Sequence, residues 1–172
     1  MERRWTWMLV VLLWSGGVLD LGAQSSADIA RQFVGTWRLV STIQTFADGT
    51  SKPDPQVGPT PNGYMIYTDT HRMCSMFTNP ARPQWASPAM PTETELRSVV
   101  DFMGAYCGSY EVNVEGGFVL HHVEIERVPN FIGTTGKRFF KMNGDRLTLT
   151  LDPATLPAGM VGTTITWQRV TQ

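Results

Sequence analysis

Polar and apolar residues alternate one by one along most of this chain, the period of a strand with one face buried. Residues 36–46 set Trp37, Leu39, Ser41 and Ile43 against Arg38, Thr42 and Gln44. Residues 106–114 line up Tyr106, Gly108, Tyr110, Val112 and Val114, with Glu111 and Asn113 opposite. Residues 118–127 give one face to Val119, His121, Val123 and Ile125 and the other to His122, Glu124 and Glu126. Residues 137–142 set Arg138, Phe140 and Met142 against Lys137, Phe139 and Lys141. The leucines of 146–151 alternate with Arg146, Thr148 and Thr150, and over 162–170 Ile165, Trp167 and Arg169 alternate with threonines and Gln168. Asp48-Gly49 and Asn143-Gly144-Asp145 carry the signature of hairpin turns.

The stretch "GYMIYTDTHRMCSMF", residues 63–77, reads as two further strands, about 63–69 and 72–78. Its phase is open, because both faces are amphipathic. Methionine adapts to irregular shapes, and tyrosine offers a large ring with one polar handle. Such a wall suits a pocket for an apolar, partly oxygenated molecule, and it equally suits a barrel packed solid.

Helical spacing occurs twice. Ser26 can cap a short helix reaching about Phe33, with Ile29 and Phe33 on one face. Thr92 and Glu95 form a capping box, and Leu96, Val99, Val100 and Met103 follow at helical intervals until Gly104. Residues 52–62 and 79–91 are proline-rich and read as irregular loops.

Eight strands joined mostly by hairpins predict an all-β fold, an eight-stranded antiparallel up-and-down barrel with a short N-terminal helix and one inserted helix. Closure removes exposed strand edges, and a barrel of eight strands can hold one small ligand.

The first 23 residues fall outside that pattern. Arg3 and Arg4 precede the apolar run Trp5 to Trp14, and Leu21-Gly22-Ala23 ends in small residues. This is the form of a secretory signal peptide cut after Ala23, its core too short for a stable anchor. The expected domain is then 24–172, secreted or periplasmic, with no membrane anchor after cleavage. An uncleaved anchor is the alternative. Export would permit a disulfide between Cys74 and Cys107, the only two cysteines. Two small buried thiols are the competing reading.

A net charge of −1 with interspersed signs gives no electrostatic case for nucleic acid. No nucleophile elbow, HExxH, phosphate-binding glycine loop or paired-carboxylate motif is present, so no cofactor is expected. Adjacent His121 and His122 point to opposite faces and cannot share a metal, and His71 has no ligand spacing to either, so no metal is expected.

Arg138 is the informative charge. Alternation turns it inward with Phe140, and an unpaired buried guanidinium is costly unless it snorkels to water. Tyr110 and His121, inward on neighbouring strands, could complete a polar cluster with it. In such a cluster the three could orient a ligand head group. They could also serve as acid, base and anion stabiliser in an isomerisation or ring closure. The expected ligand wall is Met65, Tyr67, Tyr106, Tyr110, His121, Arg138 and Phe140, around a small hydrophobic molecule.

"GTW" at 35–37, opening the first strand after a short helix, together with Arg169 near the end of the last, resembles the lipocalins. That resemblance implies that Trp37 closes the barrel floor with Arg169 packed across its ring, Gly35 completing the motif. "GYMIYT", "HRM", "NPARPQWAS", "AYCGSYEV", "HHVEIERVPNFIGT", "KRFF" and "GDRLTL" are similar, in that order, to the bacterial and fungal lipocalin-like domain family. The similarity covers about residues 33–170 and implies a calycin-type barrel, but no particular reaction.

Overall fold

The structure is a computed structural model that describes residues 25–171. The expected signal segment lies outside those residues. A short helix, α1 (Ser26–Arg31), leads into strand β1 (Gly35–Phe46). There follow β2 (Ser51–Pro53), β3 (Asn62–Tyr67), β4 (Arg72–Thr78), helix α2 (Glu93–Phe102), β5 (Met103–Asn113) and β6 (Phe118–Glu126). The chain ends in β7 (Thr135–Asn143), β8 (Arg146–Leu151) and β9 (Met160–Arg169). Every neighbouring pair is antiparallel, and β1 pairs with both β3 and β9, so eight strands close into a barrel. Strand β2 is the extra one, held to the end of β1 by Ile43↔Pro53, Gln44↔Lys52 and Thr45↔Ser51. It falls mostly within the 52–62 stretch expected as an irregular loop, because three exposed residues ending in proline carry no alternation to detect.

Both helices start at capping boxes. Ser25, one residue earlier than expected, caps α1 and accepts from the Asp28 N–H; Thr92 caps α2 and accepts from Glu95. Helix α2 ends at Phe102 rather than at Gly104, because Met103 is already extended and pairs with Thr78 in the sheet. Its apolar stripe stays largely in solvent: Leu96 and Val100 are about half exposed, and Ser98 is the buried residue of the helix. The last-turn carbonyl of Val100 accepts from the Arg127 guanidinium at 2.8 Å and from the Gln56 amide at 3.2 Å. Those two side chains satisfy an acceptor that the helix itself cannot.

The floor is built from one end of the chain closing on the other. Trp37 is fully buried and donates its indole N–H to the Phe33 carbonyl at 2.8 Å. Arg169 stacks over the Trp37 ring at 4.2 Å and donates to the carbonyls of Val34 (3.0 Å) and Gln32 (2.5 Å). Gly35 lies beneath that guanidinium at φ 135°, and a Cβ there would strike it. Phe33, Met65, Tyr67, Met73, Val119 and Leu147 fill the lower barrel, each at most 2% exposed. The lower half is therefore a packed core.

The open end has a seam. Strand β1 pairs with β3 only over residues 35–38, then with β2 only over 43–45. A strap, residues 54–61, crosses the gap. The Asp54 N–H donates to the Thr42 carbonyl at 2.9 Å, and Asn79 donates to the Pro55 carbonyl at 3.1 Å. Val57, 2% exposed, fills the seam as part of the core.

Two bulges break the expected alternation. In β1 the register shifts between Leu39 and Ser41, so Thr42, not Ser41 or Ile43, is the next buried residue. In β6 the register shifts between Gly108↔Val123 and Cys107↔Ile125. Ile125, expected inside, is 66% exposed, and Glu126 instead lies opposite Tyr106. One extra residue turns every later side chain to the other face.

Candidate functional site

The 63–78 hairpin resolves its own phase. Met65, Tyr67, Met73 and Ser75 point in and are nearly inaccessible, whereas Tyr64, Ile66 and Met76 lie about half exposed outside. On that outer face Cys74 and Cys107 are direct cross-strand partners, 4.1 Å apart at Cα, and they are joined in a disulfide.

His121 stands at the centre of the inner wall, fully buried. Tyr67 OH lies 2.6 Å from Nε2 and Tyr106 OH lies 2.9 Å from Nδ1. A neutral imidazole has one donor and one acceptor nitrogen, so one hydroxyl donates to the ring and the other accepts from it. Burial, reinforced by the nearby Arg138 charge and by His122, pushes the His121 pKa well below its ordinary value. Burial, together with Tyr106, raises that of the Tyr67 hydroxyl well above its own. The result is a hydrogen-bonded chain Tyr106–His121–Tyr67 running from the half-buried inner wall into the core.

Arg138, on β7, faces the same space. Its guanidinium carbon lies 5.7 Å from the Tyr106 ring centroid. Gly136 makes the room: it sits opposite His121, two residues from Arg138 on the same face, and a Cβ there would collide with the guanidinium. Arg138 is half-buried and takes part in none of the ion pairs among the described residues. Nearby acids are committed elsewhere. Asp152 pairs with Lys137, Glu124 with Arg72, and the half-buried Glu126 accepts the N–H of Val128. Ser75, buried and directly opposite Tyr106, adds a hydroxyl to this wall.

The remaining expected site residues divide by height. Met65 and Tyr67 belong to the packed core, and Tyr67 reaches the site only through His121. Tyr110 is buried on the correct face, but its hydroxyl donates to the Thr68 carbonyl at 2.8 Å, toward the floor. Burial, then the Asp69 charge, raises its pKa. Phe140 packs edge-on to Phe33 at 5.0 Å near the floor and stays half-buried. The grouping that forms is thus Tyr106, His121 and Arg138, with Tyr67 where Tyr110 was expected. Ser75 and Gly136 were not singled out from sequence. Gly136 carried a usable signal, since it shares the phase of Arg138; Ser75 carried none, because the phase of its hairpin is open in the sequence. Among the described residues no cluster of His, Cys, Asp and Glu could hold a metal ion.

Two clefts on the described surface lie outside the barrel. One, of about 590 Å³, runs between Ile29 of α1, Gln32 just after the helix and the 140–145 hairpin; the other, of about 450 Å³, lies along residues 111–115. Room inside is read instead from the inner wall. Tyr106, Arg138 and Ile165 face inward in mid-strand yet remain half-buried, among sealed neighbours such as Leu149, Thr42 and Thr163.

The lipocalin-like domain model matches residues 34–170, nearly the whole of the described chain. The chain belongs to the lipocalin-like domain family. This lipocalin-like domain has no match among curated proteins. A crystal structure of a variant of the fluorescent protein UnaG is similar over 83% of this chain and 99% of that one, at 14% identity and a TM-score of 0.36.

Proposed function

We propose that this lipocalin-like domain is an exported binding protein for a small, mostly apolar molecule with one oxygenated end. The observation that carries this reading is the half-buried upper inner wall. In a barrel packed solid, mid-strand residues such as Ile165 and Tyr106 would be sealed like Leu149, directly across from Ile165, and Val119. Apolar walls supply affinity and a few convergent polar groups supply orientation, here Tyr106, His121 and Arg138. The charged N-terminus followed by an apolar run supports export, and the Cys74–Cys107 bridge suits an oxidising compartment.

A second reading draws on the Tyr106–His121–Tyr67 chain, which would let Tyr106 give a proton to a bound carbonyl and recover it through the ring, as an isomerase or cyclase requires. Native mass spectrometry of residues 24–172 purified from an exporting host tests both. A one-to-one adduct and saturable enhancement of the neutral dye Nile red are expected. An altered adduct that reverts in Tyr106→Phe favours the enzyme. An empty protein that leaves Nile red dark overturns both readings and leaves a barrel that acts only by contact with other proteins.

A further inference from the structure

Building on that reading, we infer that the oxygenated end is an anion, a carboxylate held by Arg138, Ser75 and Tyr106. The argument is a count of donors against acceptors on the upper inner wall. Arg138 offers guanidinium N–H groups and no acceptor. It is half-buried, stands over the Tyr106 ring, and has no ion-pair partner among the described residues. Ser75, directly across from Tyr106 on the neighbouring strand, is buried and turns its hydroxyl to the same wall. Of the nearby acids, Asp152 pairs with Lys137, and Glu126, opposite Tyr106, accepts the Val128 N–H through one oxygen and forms no ion pair with Arg138.

The Arg138 guanidinium gives this wall a fixed positive charge and a fork of donors, which suits a ligand end that brings negative charge and acceptors. A neutral alcohol would bring a further donor and leave the guanidinium uncompensated, at a cost of desolvation. A planar carboxylate matches the guanidinium fork with two parallel hydrogen bonds and leaves an oxygen lone pair for Ser75. The collision that a Cβ at Gly136 would make with the guanidinium shows that the fold reserves space for this group. Tyr106 orients the charge: His121 holds its hydroxyl, and its ring face underlies the guanidinium at 5.7 Å.

The test uses the purified chain, Nile red as reporter, and three competitors that differ only at the head: decanoate, decan-1-ol and methyl decanoate. Decanoate should displace the dye at least about tenfold more effectively than the other two, the worth of a charge-assisted pair. Arg138→Gln should bring that ratio close to one, Arg138→Lys should keep part of it, and Ser75→Ala should lower it about threefold. Arg146→Gln, an exposed arginine on β8, should leave it unchanged. Thermal melts of each variant confirm that the barrel is folded. Equal displacement by acid and alcohol in the unaltered protein overturns the carboxylate while binding itself stands. A ratio that persists in Arg138→Gln overturns the role of Arg138. A dye that never binds, with no competitor retained in native spectra, removes the binding reading and this inference with it.

Discussion

At the scale of single residues, the stability of this barrel rests on polar groups whose partners are fixed. His121 is neutral in the folded chain because burial and the Arg138 charge oppose its protonation. In the unfolded chain it titrates near its ordinary value, about 6.5. The sign follows directly. Below that value the unfolded state binds a proton that the native state refuses, so stability is fully present above about pH 6.5 and falls as pH drops toward the folded value. The loss approaches about 1.4 kcal/mol per pH unit. Urea midpoints measured at about pH 7.5 and 5.5 should differ accordingly, and His121→Gln should flatten that difference while lowering stability at both. A slope unchanged in the variant would assign the proton to another group. Arg169 makes a second, independent case. It closes the floor through the Trp37 ring and two backbone carbonyls. Arg169→Ala should cost about 2–4 kcal/mol by chemical denaturation, and Arg169→Lys should recover only part, because an ammonium cannot both stack and fork.

At the scale of elements, the weak places are those where strands change partners. The strap over the β1–β3 seam depends on Asn79, which donates to the Pro55 carbonyl and accepts from the Ala81 N–H at 2.9 Å. Asn79→Ala leaves buried backbone groups unsatisfied and should cost about 1–3 kcal/mol. Hydrogen exchange should quicken first at Val57 and Gly58, whose N–H groups bond to the Asp54 carbonyl. Uniform quickening across the sheet would instead mean that the strap is part of the global unit. The β4–β5 pair is tied by the disulfide, which closes a sequence separation of 33 residues. Loop-closure entropy puts its worth at about 3–4 kcal/mol, so the Cys74→Ser, Cys107→Ser double variant should melt markedly lower. The same partner changes explain what the sequence could and could not show. Alternation located six of the eight barrel strands because one buried face forces a period of two; the 63–78 pair shows only as a hairpin. Alternation placed Arg138, Tyr106 and His121 correctly for the same reason, each lying on the regular side of its strand. It failed at Ile43 and Ile125, since a bulge is a backbone event that leaves composition intact. It could not phase the 63–78 hairpin, whose outer face is as apolar as its inner one. Nor could it say which hydroxyl His121 meets: Tyr67 and Tyr110 both lie inward, and only strand tilt and the packed ring geometry decide.

At the scale of the whole molecule, the floor of the barrel is sealed, whereas higher up Tyr106, Arg138 and Ile165 stay half-buried among sealed neighbours such as Thr42 and Thr163, and the proposed binding role depends on the space they leave. Ile165 tests it. Its side chain faces inward from the middle of β9, opposite Leu149 and the buried Thr42, yet it is only half-buried. If the upper barrel is packed, a larger residue there must push neighbours off their rotamers, at about 1–3 kcal/mol or more. If it is a lumen, the added ring enters free space and gains apolar contact at about 25 cal/mol per Å² buried. Ile165→Phe should therefore melt within about 1 kcal/mol of the parent while losing Nile red, because the ring occupies the guest's place. Leu149→Phe is the matched control. That residue is 1% exposed, on the neighbouring strand and the same inner face, so enlargement should destabilise whatever lies above it. Equal destabilisation by the two substitutions would mean that the barrel has no guest space, and the binding role of Arg138 would lose its setting. Loss of dye without loss of stability at Ile165 alone would locate the guest between β9, β5 and β7, beside the guanidinium.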